Sequence, residues 1–213
     1  MKGYFIAGTD TEVGKTHVAT ALIHELARRR LRVAPMKPVA AGASPSLRNA
    51  DALALAAASN VSVPYETLNP YCLVPPISPH IAAKEAGIVI DPAVICAEFA
   101  KLEALSDRVI VEGAGGWLAP ISDSKTMEDV AIALGLPVIL VVGLRLGCLS
   151  HALLTARSIR ASGLPFAHWI GNSIDPKFER ARENIATLTD ALGAPLTVFP
   201  YGAAPSWPEG ETL

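Results

Sequence analysis

The run Gly8-Thr9-Asp10-Thr11-Glu12-Val13-Gly14-Lys15-Thr16 carries the residue types that hold a phosphate chain. It follows a short apolar run, Tyr4-Phe5-Ile6-Ala7, and precedes a helix-like segment from His17 to Arg30. Strand, loop and helix in that order are the setting of a phosphate-binding loop. Backbone N–H groups of such a loop and of the helix start converge on the phosphate, and the helix dipole favours the negative charge. Lys15 is placed to reach the β- and γ-phosphates, and the Thr16 hydroxyl to ligate Mg²⁺. A chance Gly-Lys-Thr on a surface turn is the competing reading, and the context disfavours it. The match is not literal. Five residues separate Gly8 from Gly14 where the usual pattern has about four, so Thr9 occupies the first-glycine place. Thr11 and Glu12 put polar side chains where many such loops carry small ones, which suits a loop that touches an acceptor substrate as well as the nucleotide.

Other polar residues follow apolar runs directly. Lys37 comes after Arg32–Met36, Glu112 after Arg108–Val111, and Asn172 after Phe166–Ile170. A lysine, a carboxylate and an amide at strand ends beside a phosphate loop describe a nucleotide–Mg²⁺ site, since Mg²⁺ takes few protein carboxylates. The competing readings are a helix-capping or surface acid for Glu112 and a solvated lysine for Lys37. Asp51 opens a helix-like segment and reads either as an acid favourable to the helix dipole or as a second metal carboxylate. His80 reads as a cap-region histidine. Gly147-Cys148-Leu149-Ser150 opens another helix and offers free N–H groups to a carboxylate or phosphate, or a plain cap by Ser150.

The elements that must position these groups alternate. Apolar β-type runs fall at Tyr4–Ala7, Arg32–Met36, Arg108–Val111, Val138–Val142 and Phe166–Ile170, with a weaker one at Leu196–Phe199. Helix-type segments fall at Lys15–Arg30, Ala50–Ala58, Ala93–Leu105, Met127–Leu134, Ser150–Ser162 and Phe178–Leu192. Continuous apolar strands separated by helices predict a mostly parallel sheet covered on both faces, with ligands at the carboxyl ends of the strands. The expected architecture is one phosphate-loop α/β domain over residues 1–213. Val61 to Pro79, rich in Pro, Ser and Asn, reads as a long surface excursion, and Ala203 to Leu213 as a weakly ordered tail.

Composition bounds the function classes. With 51% hydrophobic and 18% charged residues the chain is globular rather than disordered. A net charge of -2 leaves no basic footprint for nucleic acid. The most apolar run, Leu136 to Leu144, is far short of the roughly 18 residues of a membrane span. Three scattered cysteines, Cys72, Cys96 and Cys148, suit buried thiols in a reducing cytoplasm better than disulfides. Met1-Lys2-Gly3-Tyr4 runs straight into the first strand, so no signal peptide is expected.

Several of these motifs occur together in one family. The chain resembles dethiobiotin synthetase, the ATP-dependent carboxylase-cyclase of biotin synthesis, over nearly its whole length and most weakly after Tyr201. The resemblance rests on the loop from Gly8 to Thr16, Lys37-Pro38-Val39, Leu47-Arg48-Asn49-Ala50-Asp51-Ala52, Asn69-Pro70-Tyr71, Ser78-Pro79-His80, Val111-Glu112-Gly113-Ala114-Gly115-Gly116 and Leu146-Gly147-Cys148. It implies a homodimer that joins 7,8-diaminononanoate, CO₂ (or bicarbonate) and ATP with Mg²⁺, through an N-carbamate and a carbamic-phosphoric anhydride, releasing ADP and phosphate. It further implies catalytic roles for Lys37, Lys15 and Thr11. The nucleotide would lie against Glu12, Val13, Gly14, Lys15, Thr16, His17, Asp51, Glu112, Asn172 (reading adenine) and Pro200. Mg²⁺ would lie on Thr16, Asp51 and Glu112. Substrate would meet Thr11, Glu12, Lys37 and Ala41, with Gly147, Cys148, Leu149 and Ser150 gripping its carboxylate across the dimer.

The chain departs from the family pattern at Ala41, often serine, at Ser150, frequently asparagine, and at Asn184, a tyrosine in some relatives. Two other classes of phosphate-loop protein fit less well. An amide-forming ligase usually carries a glutaminase domain, for which this chain is too short. Partitioning and positioning ATPases carry an extra lysine five residues before the loop lysine, where this chain has Asp10.

Overall fold

A computed structural model describes residues 2–208. In chain order the elements are β1 (Gly3–Gly8), α1 (Lys15–Arg28), β2 (Val33–Met36), β3 (Val39–Ala41), α2 (Ala50–Ala58), α3 (Tyr65–Leu68), β4 (Tyr71–Leu73), α4 (Pro79–Glu85), α5 (Pro92–Leu105), β5 (Arg108–Glu112), α6 (Met127–Leu134), β6 (Val138–Leu144), α7 (Cys148–Ala161), β7 (Phe166–Ser173), α8 (Ala181–Leu192) and β8 (Thr197–Phe199). Six strands form one sheet in the order β2-β5-β1-β6-β7-β8, with every pairing parallel. β1 is therefore central, and its carboxyl end delivers the phosphate loop to the middle of the sheet's upper edge.

Each central strand is buried along its whole length because both faces are covered. Side chains of β1 alternate between two cores, as the period of a strand requires. Tyr4 and Ile6 pack with Val18, Leu22, Ile23 and Leu26 of α1 and Leu55 of α2. Phe5 and Ala7 face Ile95, Phe99 and Leu102 of α5, Val130 of α6 and Ala152, Ala156 and Ile159 of α7. The doubly covered parallel sheet expected from the sequence is thus the observed one.

Three expectations need correction. The stretch read as a surface excursion holds α3 and β4, and Thr67, Leu68, Asn69 and Leu73 are buried. β4 pairs in parallel with β3, Val39 opposite Tyr71 and Ala41 opposite Leu73, as a small second sheet. The tail is anchored as far as Pro208. The Thr197 hydroxyl donates to the Ser206 carbonyl at 2.7 Å, Trp207 packs edge-on against Phe199, and Arg29 donates to the Pro208 carbonyl; positions 209–213 of that expectation lie outside the described residues. All three cysteines are free, but only Cys148 is fully buried.

Candidate active site

The loop between β1 and α1 wraps the Lys15 side chain. Lys15 Nζ donates to the Asp10 carbonyl at 3.0 Å, and a Cβ on Gly8 would lie 2.9 Å from that nitrogen. Gly14 sits at φ 85°, and a Cβ there would run into the Asn172 amide nitrogen. Only glycine meets both demands, left-handed backbone and no side chain. Glu12 also takes a positive φ of 59°, which turns its side chain outward beside exposed Thr11. Asp10 is held by Arg145, which approaches its Oδ2 to 2.6 Å from the β6–α7 connection. The position that carries an extra lysine in the positioning ATPases thus carries an acid with its own cation.

Lys37, Asp51 and Glu112 come together although they are far apart in sequence. Lys37 Nζ lies 2.5 Å from Glu112 Oε1 and 3.1 Å from Asp51 Oδ2. The Thr16 hydroxyl donates to the same Glu112 oxygen at 2.8 Å. Lys37 is 4% exposed and Glu112 1%, so this is a buried ion pair, whereas the Asp51 side chain is 47% exposed. Burial is the largest influence on Lys37 and opposes its charge, yet Glu112 and Asp51 together hold it above the ordinary lysine value. Burial likewise opposes the charge of Asp51, and Lys37, Thr16 and Lys15 outweigh it to keep the carboxyl below its usual range. Lys15 has no such close carboxylate. Burial first, then repulsion from Lys37, draws it from 10.5 down to about 8 against the pull of Glu112, Asp51 and Asp10.

Two adjoining cavities share this cluster. One, about 260 Å³, is lined by Thr11, Glu12, Gly14, Lys15, Thr16, Lys37, Asp51, Glu112 and Gly115. The other, about 560 Å³, adds Ala41 and the apolar walls Pro76, Ile77, Pro79, Ala114 and Ala119 to Thr11, Glu12, Lys37 and Asp51. The first is a polar phosphate-sized cradle and the second a longer, partly apolar trough opening from it. Glu112 Oε2 is buried with no hydrogen-bond partner among the described residues. An orphaned carboxylate oxygen beside the Thr16 hydroxyl and Asp51 fits a hard cation that takes oxygen ligands and keeps most of its coordination for phosphate and water. No group of three or more His, Cys, Asp or Glu able to hold a metal by itself occurs among the described residues, which such a cation does not require.

The remaining expected residues fall elsewhere. Asn172 is the seventh residue of β7 rather than a residue beyond its end, because β7 stays paired to β6 as far as Ser173 opposite Leu144. It is buried, and its Nδ2 donates to the Val13 carbonyl at 2.9 Å, so the amide braces the loop. Asn172 stands opposite Phe199 in the β7–β8 register, Pro200 follows at the surface, and the His17 ring meets Phe199 edge-on at 5.2 Å. These residues gather along one side of the loop and line neither cavity. Gly147, Cys148, Leu149 and Ser150 line neither cavity as well; Cys148 is buried while Gly147 and Ser150 face solvent. Asn184 donates to the carbonyl of Arg180, the N-cap of its own helix. His80 stands near the start of α4, with a buried Nδ1 that has no partner among the described residues.

Asn49 and Asn69 have structural roles beyond those expected from the sequence. Asn49 caps α2, accepting from the Asp51 and Ala52 N–H groups, and this aims Asp51 at Lys37. An asparagine just before an Ala-rich helix is a cap signature and was legible. Asn69 Nδ2 donates to the Lys37 carbonyl at 2.6 Å, a contact across 32 residues with no local signal.

A parallel six-stranded sheet with helices on both faces, and a Gly-Lys-Thr loop leaving its central strand for a helix, defines a phosphate-loop NTPase. Solved structures agree on that fold: a chain of the MinC:MinD cell division protein complex of Aquifex aeolicus (TM-score 0.58, 13% identity, 94% of this chain and 81% of that one) and the septum site-determining protein MinD with Mg-ADP from Pyrococcus horikoshii (TM-score 0.54, 16% identity, 93% and 81%). A family model described as an AAA domain matches residues 2–201. The chain is 52% identical over 201 residues to the ATP-dependent dethiobiotin synthetase BioD of Nitrosospira multiformis, covering 94% of this chain and 88% of that protein. It is likewise 52% identical over 211 residues to the protein of that name from Aromatoleum aromaticum (96% and 94%), and 46% identical over 199 residues to that of Pseudomonas aeruginosa (92% and 87%). The chain belongs to the dethiobiotin synthetase family.

Proposed function

We propose that this chain is a dethiobiotin synthase, joining 7,8-diaminononanoate and CO₂ at the expense of ATP to give dethiobiotin, ADP and phosphate. The observation that carries the reading is the buried Lys37–Glu112 pair set between a phosphate cradle and a trough. Two lysines then flank the place where a carboxylated amine meets a γ-phosphate. The name of the relatives supplies the particular substrates.

One substrate amine forms an N–C bond to CO₂ and loses a proton, giving a carbamate. A carbamate oxygen takes the γ-phosphoryl group as the bond to ADP breaks. The second amine then attacks the carbonyl carbon, the ring closes, and phosphate leaves with the former carbamate oxygen. Negative charge accumulates on carbamate and phosphoryl oxygens in the middle step, where preorganised cations stabilise it most. Lys15 binds the phosphates, and Lys37 holds the carbamate against the γ-phosphoryl group. Thr11 and Glu12, exposed at the trough's entrance, meet the amines. Thr16, Asp51 and Glu112 would hold Mg²⁺, which supplies neutralisation of the β- and γ-phosphate charge. Adenine lies along Val13, His17, Asn172 and Pro200.

The reading extends to a homodimer acting as one α/β unit per chain in the cytoplasm. The trough contains no basic side chain at its far end for the substrate carboxylate, while the N-terminus of α7 at Gly147, Cys148, Leu149 and Ser150 is outside it. A partner's α7 closing the trough supplies those N–H groups. Leu146 (91% exposed), Leu154 and Leu118 give that region an apolar surface suited to burial between copies. No helix among the described residues is long and apolar enough to cross a membrane.

The test is phosphate release from MgATP with diamine and bicarbonate each present or omitted. Release that requires both supports the synthase; release indifferent to the diamine leaves a phosphate-loop ATPase and overturns the reading.

A further inference from the structure

The two groups that meet at Lys37 arrive on separate supports. Lys37 follows β2, and its carbonyl is held by Asn69 Nδ2. Asp51 is in the first turn of α2, whose cap is Asn49. The two asparagines do not bond each other. The Tyr65 hydroxyl stands between them, accepting the Asn49 N–H at 2.8 Å and donating to Asn69 Oδ1 at 3.1 Å.

The polarity of this bracket is forced. Asn69 Nδ2 gives its two protons to the Lys37 carbonyl and, at 3.3 Å, to the Tyr71 carbonyl, so Oδ1 must receive one. Asn49 Oδ1 accepts from Asp51 and Ala52 while its Nδ2 donates to the Ala41 carbonyl at 3.1 Å, so that side chain is also fully engaged. One hydroxyl can serve both neighbours because it donates its single proton to Asn69 and accepts from Asn49, leaving its second lone pair to the Cys72 thiol 3.7 Å away. Asn49 and Asn69 are buried at 6% and 3% exposure. Loss of the hydroxyl would leave a buried amide N–H and a buried carbonyl oxygen without partners, and the two supports would then be joined only by Asn49 Nδ2 on the Ala41 carbonyl and by the Lys37–Asp51 pair itself. The Arg48 guanidinium covers the Tyr65 ring at 4.0 Å and fixes its orientation. Burial holds the phenol above its ordinary value, so it keeps its proton at neutral pH.

We propose that Tyr65 is a positioning residue for phosphoryl transfer: its hydroxyl ties the Lys37 support to the Asp51 support and fixes the spacing of the cluster. This rests on the reading of Lys37 given above. It predicts a loss in the catalytic step rather than in nucleotide binding, since Tyr65 lines neither the phosphate cradle nor the trough.

The experiment compares Tyr65→Phe with Tyr71→Phe, expressing kcat per ADP-binding site so that only folded molecules count. Tyr71 is the matched control, because its hydroxyl also accepts one backbone N–H in the same layer, that of Asp91, but reaches neither support. Tyr65→Phe is expected to lower kcat about ten- to a hundredfold, as small misplacements of reacting groups do, with KM for ATP within about twofold. Tyr71→Phe should retain wild-type kcat. In a Lys37→Met background Tyr65→Phe should add nothing, since its target is gone. Asn69→Ser, which cuts this tie and also frees the Lys37 carbonyl, should lower kcat at least as much even where Tyr65→Phe fails to fold. Unchanged kcat in both variants, an equal loss in Tyr71→Phe, or additivity with Lys37→Met overturns the proposal. A wild type without diamine-dependent release sinks the functional reading instead. The bracket is then judged by the diamine-independent phosphate release per ADP-binding site, which should fall about tenfold in Tyr65→Phe with KM for ATP within about twofold, and an unchanged rate overturns it.

Discussion

Replacing Lys37 by Met separates the two things this lysine does. Methionine keeps most of the aliphatic volume, so the cavity left behind is small and the lost charge dominates. The partner that matters for stability is Glu112, 1% exposed and 2.5 Å away. Removing one member of a buried pair leaves an uncompensated charge and costs about 3–5 kcal/mol. The contact with Asp51, whose side chain is 47% exposed, adds only ~0–1 kcal/mol. Against a total stability of about 5–15 kcal/mol the variant still folds. With a urea slope near 3 kcal/mol/M its midpoint should fall by about 1–2 M. Adding Glu112→Gln removes the stranded charge and should recover a large part of that loss. Activity behaves differently. Loss of one cation aimed at developing charge lowers kcat by roughly 10²–10³, and Glu112→Gln cannot restore it. Urea melts of the wild type and of both single and double variants, with kcat per ADP-binding site, read the two effects separately. A stability loss below about 1 kcal/mol, or no recovery in the double variant, would refute the buried-pair argument. A kcat per site equal to wild type would refute the catalytic role.

Other consequences follow from the same geometry. Lys15 is at about 8 in the free protein, and bound phosphate would raise it, so nucleotide binding should take up a proton above about pH 8 and weaken as pH rises through that value. Calorimetry in buffers of different ionisation enthalpy reads this directly, and proton-neutral binding at pH 8.5 would contradict it. Asp51→Asn should weaken Mg²⁺ binding to the ADP complex by about ten- to a hundredfold while leaving metal-free ADP affinity near wild type, measured by Mg²⁺ titration. Gly14→Ala puts a Cβ at φ 85° into the Asn172 amide and should abolish measurable ADP binding, with partial recovery on adding Asn172→Ala; wild-type affinity in the single variant would show that the loop tolerates the side chain.

The loop was legible because everything it needs is local: an apolar strand, glycines at fixed places and a helix start. Lys37 and Glu112 were legible as strand-end residues, since apolar runs mark where a parallel sheet delivers its ligand-binding edge. Asp51 was not decidable from sequence. Its role depends on α2 folding back so that a capped first turn points at Lys37, a contact made by tertiary packing. Asn172 was placed one step too far out because the apolar run ends at Ile170 while strand pairing with β6 continues to Ser173. β3 and β4 were missed for a related reason. Each has three residues and its partner lies about 32 positions away, so neither shows a period of its own. As far as Pro208 the tail is held by contacts its composition did not show, Trp207 meeting Phe199 among them.

The central claim is that an oxygen of the captured CO₂ passes to the phosphoryl group before the ring closes. Supplying ¹⁸O-labelled bicarbonate with unlabelled water, MgATP and diamine, and analysing the released phosphate by mass spectrometry over a single turnover, follows that oxygen. The account predicts one ¹⁸O per phosphate, up to the enrichment of the dissolved CO₂, and none when the diamine is omitted. Phosphate released at a full rate with only solvent oxygen would mean water attacks the γ-phosphoryl group, and the carbamate pathway would be wrong.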